Sequence, residues 1–234
     1  MMLWVLLFLI IVGLSFVLAM WSMKDYQEIP QEAKTDYSLF LVRNTNNFNA
    51  TFLDTLQTTA KSGQIISLER LFKGTQSALA IFGPKIILEQ YTTQLNLLEL
   101  EDYAQNLSSQ DLYIWEMGSK GFGKLDAAID SVFKNLPALD NQDQFFWQVV
   151  LGVKKGKDIF FPTQIRAATY SSDQARRNTL VTALQDVSFG GLVKVPTPFS
   201  QAQLLDFYKL RSLSKDSKSP VLKSAEIVTL VKIP

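Results

Sequence analysis

The chain has 234 residues, with 23 Lys+Arg against 22 Asp+Glu, and it contains no His and no Cys. Without Cys there is no disulfide framework, thiolate nucleophile or Cys-ligated metal, and without His there is no Ser-His-Asp triad or imidazole ligand. Catalysis would have to rest on carboxylates, Lys, Tyr, Ser or Thr, and no catalytic, metal-ligating or cofactor-binding constellation of these stands out in the sequence.

Hydrophobic residues make up 47% of the chain and the mean hydropathy is +0.08. The excess sits at one end, where residues 1–23 carry no charge. That length of apolar sequence predicts a membrane-spanning helix. Trp4 and Trp21 stand about 26 Å apart at the helical rise, the spacing of two interfacial aromatic belts. The stretch lacks the basic n-region and small-residue cleavage site of a signal peptide, so a retained anchor is expected. Lys24 follows the span and no Lys or Arg precedes it. The positive-inside rule then places the bulk of the chain in the cytoplasm, as a single-pass protein of the inner membrane.

Residues 24–36 are polar, contain Pro30 and read as a juxtamembrane linker. A short apolar strand is predicted over 37–43, then a helix over 48–60 with Phe48, Phe52, Leu53 and Leu56 on one face. Strands follow over 65–72 and 77–82, joined by a hairpin turn at Lys73-Gly74-Thr75-Gln76. Pro84 opens a helix, at the first helical position where its missing N–H costs nothing. Its apolar face is Ile87, Leu88, Tyr91 and Leu95, and an edge-like strand over 97–100 follows. The order β-α-β-β-α-β is the split, ferredoxin-like pattern.

The same order recurs. Strand 111–117, helix 125–136, strand 144–153, strand 159–169, helix 174–187 and strand 192–195 make the second unit. Pro162 predicts a bulge or edge position in its strand. The expected fold is therefore α+β: an N-terminal transmembrane helix, two tandem ferredoxin-like units over 37–105 and 106–199, and a C-terminal extension over 200–234. That extension holds a helix over 201–210, a polar stretch, and possible anchors Leu222, Ile227 and Leu230. It reads as reaching toward a partner.

The charge is divided unevenly. Residues 1–149 hold 10 basic and 16 acidic residues, a net −6, and residues 150–234 hold 13 and 6, a net +7. The basic half is a candidate surface for nucleic acid, anionic lipid or an acidic partner, although it lacks the aromatic interleaving of a single-strand platform.

The stretch Gly118-Ser119-Lys120-Gly121-Phe122-Gly123-Lys124-Leu125 matches the start of a phosphate-cradling loop. Leu125 stands where Ser or Thr would ligate magnesium, and no Walker-B-type Asp follows, so Gly118, Gly123 and Lys124 are weak candidates for a nucleotide site. Glu99, Glu101 and Asp102 form the densest acidic cluster and read as a solvated strand end. Tyr103, Tyr113, Trp115, Phe145, Phe146 and Trp147 read as core aromatics.

In order and texture the chain resembles the membrane-anchored, non-motor N-terminal region of conjugative-transfer (type IV secretion) ATPases of the HerA/FtsK-like class from candidate-phylum bacteria. The resemblance rests on the uncharged span, the Ile-Ser-Leu-Glu-Arg strand at 66–70 and the acidic run at 97–103. It rests also on the Gln-aromatic-Trp-Gln-Val-Val strand within 144–150 and the Ser-x-Glu element of 222–230. It implies a non-enzymatic accessory or scaffold protein at the cytoplasmic membrane. Such a protein would assemble as an oligomer with a motor ATPase or secretion-channel subunit and need no cofactor. The family's ATPase residues have no matching positions here. The alternatives are a phosphate-binding regulator using the Gly118 to Lys124 stretch, or a tethered nucleic-acid-binding protein using residues 150–234.

Overall fold

The computed structural model describes residues 12–15, 36–119, 132–134, 136–153, 160–217 and 220–232. The elements in chain order are strand β1 (Tyr37–Val42), helix α1 (Ala50–Thr59), β2 (Ile65–Lys73), β3 (Gln76–Pro84), α2 (Lys85–Leu88), α3 (Thr92–Leu95) and β4 (Leu97–Leu100). Then come β5 (Leu112–Ser119), β6 (Gln144–Gly152), β7 (Phe161–Tyr170), α4 (Gln174–Gln185), β8 (Leu192–Lys194), α5 (Gln201–Lys209), β9 (Val221–Leu222) and α6 (Ser224–Val231).

These strands form one nine-stranded sheet in the order β4-β1-β3-β2-β6-β7-β5-β8, with β9 pairing β7 off that path. All the pairings are antiparallel. The strand order of the first half, read outward from β2, is repeated by the second half, read outward from β6. The expected fold is corrected here. The two halves are not separate modules in tandem, because β2 and β6 pair along their whole lengths from Ile65↔Gly152 to Lys73↔Gln144. One apolar cluster runs across the junction, including Ile66, Leu68, Trp147 and Val149.

The transmembrane part of the expectation is corrected as well. Among the described residues no helix is long and apolar enough to cross a membrane. Residues 12–15 are helical and exposed, and the rest of the span, with Trp4, Trp21 and Lys24, lies outside the described residues. The single-pass inner-membrane placement has no support in this structure and is not carried further.

Strand alternation sorts the sheet into two faces. On the first, Phe40, Ile66, Leu68, Ile81, Trp147, Val149 and Ile165 pack beneath the helices in one apolar cluster. Asn49 caps α1 by accepting from Phe52 N, and Phe52, Leu53 and Leu56 turn inward. α6 packs against α1. The Arg70 guanidinium donates to the Val231 carbonyl at the last residue of α6, where a cation complements the helix dipole. The segment after β3 is broken into α2, a 3-10 turn and α3, yet Ile87, Leu88, Tyr91 and Leu95 are buried as their spacing predicts. Pro84 closes β3 and precedes the first helical residue. Pro162 sits where the β6–β7 ladder has already ended at Thr163, so its missing N–H removes no bond there. The helix expected over 125–136 falls mostly outside the described residues.

The second face is covered differently. The 3-10 turn Tyr103–Asn106, helix α5 and the irregular segment 210–217 lie across it. The chain then joins β7 through β9 and ends its described part as α6 on the first face. Residues 200–232 therefore fold back on both sides of the sheet. We call residues 199–217 the strap.

Candidate functional site

Four neighbouring strands place polar side chains in one row on the strap-covered face. Glu69 on β2 is opposite Gln148 on β6, Gln148 is opposite Arg166 on β7, and Arg166 is opposite Glu116 on β5. Glu69↔Gln148 is the middle pair of the nine that join the halves. All four residues are buried, Glu69, Gln148 and Arg166 completely.

The strap supplies the other side of the site. Arg211 is fully buried and reaches two carboxylates. Its Nε lies 2.8 Å from Glu69 Oε1, and its Nη1 and Nη2 lie 2.5 and 2.7 Å from the Asp102 oxygens. Its guanidinium carbon sits 4.3 Å from the Phe82 ring centroid and 5.9 Å from that of Tyr103. Fork geometry and flat aromatic walls suit a guanidinium better than an ammonium.

Glu69 is saturated. Its Oε1 accepts from Ser67 (2.9 Å), Gln148 (3.2 Å) and Arg211, and its Oε2 accepts from the Tyr103 hydroxyl (2.8 Å). With that proton committed, Tyr103 accepts from the Tyr208 hydroxyl at 2.8 Å. Burial and the Glu69 charge push both phenols well up, so they act only as neutral groups. Burial works against the charged form of Arg211, but Glu69 and Asp102 outweigh it and hold the guanidinium above its ordinary value. Half-burial alone would raise Asp102. The hydrogen bonds and charge of Arg211 dominate and hold it below the usual aspartate range.

Along the rest of the row the sheet reads main chain. Arg166 donates to the Phe207 carbonyl (3.3 Å) and the Ser212 carbonyl (2.8 Å), and Gln148 donates to the Tyr208 carbonyl (3.0 Å). Gln164 donates to the Ser214 carbonyl and accepts from Ser214 N at 2.9 Å. Ser217 donates to Glu116 at 2.7 Å. Apolar anchors flank this strip: Leu204, Leu205 and Tyr208 pack with Leu112, Ile114, Phe146 and Ala168. Leu213 lies so close to β6 that a Cβ on Gly152 would stand 2.8 Å from its Cδ1.

Arg211 has φ +48, a left-handed conformation that costs a residue with a Cβ about 1–2 kcal/mol. Its two ion pairs over-determine that geometry. Such a site can position a polypeptide and tie the two halves together. It offers no free acid or base, because each Glu69 oxygen already has a donor. Among the described residues no group of three ligating side chains stands in metal-holding geometry.

Of the residues singled out in the sequence, Asp102 and Tyr103 belong to the site and the rest fall elsewhere. Gly118 is in β5 opposite Val193, and a Cβ there would meet the Val195 side chain at 2.8 Å. Gly123 and Lys124 lie outside the described residues. Of the acidic cluster, Asp102 enters the site, while Glu99 pairs with Lys85 at the surface. Trp115, Phe145 and Trp147 are core on the helix-covered face, and Phe146 stacks on Tyr103 beneath the strap. The basic excess of the second half is partly internal. Arg166 and Arg211 are buried, and Arg176 is tied to Asp143 and Asp140.

The sequence reading missed Glu69, Arg166 and Arg211. A signal existed: β2, β6 and β7 each interrupt an apolar run with polar residues at alternate positions, Ser67 and Glu69, Gln148, and Gln164 and Arg166. Alternation of that kind in a central strand marks a polar layer that something must cover.

No protein-family model matches the chain, and no curated protein matches it.

Proposed function

We propose that this chain is a non-enzymatic interaction protein: a rigid double-unit platform that docks to a motor ATPase or channel subunit of a type IV secretion or DNA-transfer apparatus. The observation that carries the non-catalytic part is the saturation of the buried polar row. Its carboxylates are consumed in fixing the strap across both halves, and a group with every lone pair engaged is poorly placed to move protons. The continuous sheet supports a scaffold role, since it gives two units one fixed relative orientation. The partner class rests on the resemblance of the strand and acidic segments to the non-motor region of those ATPases.

Cross-linking of the full chain in its native cells, followed by mass spectrometry, tests the reading. Cross-links to a motor ATPase or channel subunit are expected. Recovery of neither, with cross-links confined to unrelated proteins, overturns the partner. ATP binding by the full chain that disappears in Lys124→Ala overturns the non-enzymatic scaffold in favour of the phosphate-loop alternative.

A further inference from the structure

The strap is attached to the sheet in an unusual way for a core element. Between residues 199 and 217 it is held through sheet side chains, Gln148, Gln164 and Arg166, that grasp its carbonyls. Recognition of carbonyls is indifferent to sequence. The sequence-specific polar contacts are the Gln201 amide on Ile114, the Tyr208 hydroxyl on Tyr103, Ser217 on Glu116 and, the one charged member, an arginine seated between two carboxylates and two aromatic rings. Apolar side chains from α5 fill the space beside it. This is the layout of a peptide-recognition groove, with main-chain clamps, a charged key and apolar pockets.

Three further features fit an occupant that can leave. The strap enters through Pro196-Thr197-Pro198, with both prolines exposed, and it exits through the exposed Lys215 and Asp216. The key residue is held in a strained backbone conformation, a hallmark of bistable segments. The contact layer is polar where an apolar layer of similar shape often serves about as well, and switches are the best-attested use of buried ion pairs.

We propose that the row Glu69–Gln148–Arg166–Glu116, with Asp102, Phe82 and Tyr103, is a binding site for a segment of a partner protein that carries a short helix followed by an arginine, as the strap does. The strap occupies this site in cis as an autoinhibitory ligand. The proposal rests on the scaffold reading only in taking a protein segment as the incoming ligand.

The test uses the full chain with a protease site inserted between Pro198 and Ser200 and cut after folding. A fluorescent peptide of residues 199–217 is then added. Exchange into the cut chain is expected, and the same peptide with Ala at the Arg211 position should bind at least about tenfold more weakly. The uncut chain should bind the peptide weakly, and uncut Arg211→Ala should take it up more readily. If Arg211→Ala does not fold, the cut chain still gives the reading, since it keeps its arginine. A cut chain that unfolds, or that keeps its strap without exchange, overturns the proposal. Equal binding of the arginine-free peptide does so too. Failure to find a motor partner in cells leaves these outcomes unchanged, so the two readings fail separately.

Discussion

The two faces of the sheet solve the same problem by different means. On one, helices α1, α4 and α6 cover aromatic and aliphatic side chains, and stability comes from apolar area. On the other, a strap covers a row of charges and amides, and the chain's path is fixed by named hydrogen bonds. Apolar packing tolerates substitution if volume is kept, whereas a buried ion pair tolerates almost none on one side alone. The helix-covered face supplies cohesion, and the strap-covered face supplies position.

The largest test of this contrast is loss of one charge. Arg211→Ala should destabilise the chain by about 3–5 kcal/mol in urea unfolding, because it strands Glu69 in the interior. The double variant Glu69→Leu, Arg211→Met should recover most of that loss. If it does not, the row contributes more than position. On the helix-covered face, Leu56→Ala should cost about 2–5 kcal/mol while leaving hydrogen-exchange protection of residues 207–214 relative to the sheet unchanged. A selective loss of strap protection would join the two faces energetically.

Acid should separate them. Asp102 has its folded pKa below the unfolded value, so its contribution is present above about pH 4 and is lost as pH falls through the lower, folded value. The strap should therefore lose protection first in an acid titration followed by hydrogen exchange. Simultaneous loss across both faces would contradict this. Ser200→Ala removes the capping box of α5, where Ser200 and Gln203 bond reciprocally, and should cost about 1 kcal/mol. The smallest effect belongs to Lys85→Ala at the exposed Glu99 pair, expected to leave the urea midpoint unmoved.

What could be read from the sequence follows the same division. Alternation and turn chemistry exposed the strands and most helices, because Gly74 at φ +56 and apolar spacing act locally. The burial of Ile87, Leu88, Tyr91 and Leu95 was legible for that reason. The pairing of β2 with β6 was not, since an antiparallel edge offers no residue code for its partner. The arginine clamp was illegible for a related reason. Arg211 meets Glu69 from 142 positions away, and a lone arginine in a polar stretch looks solvated until the chain is seen to double back.

The seam between β2 and β6 has a consequence for the separate halves. In an isolated half, β2 or β6 would be a nine-residue outer strand, and the amide and carbonyl groups of its alternate residues would lack a strand partner. In the intact chain these two strands silence each other, and the strands left at the rims, β4 and β8, are only four and three residues long. Cutting the gene in two would thus expose two long strand edges, each able to pair with its own copies, and keeping both halves in one chain covers these two edges.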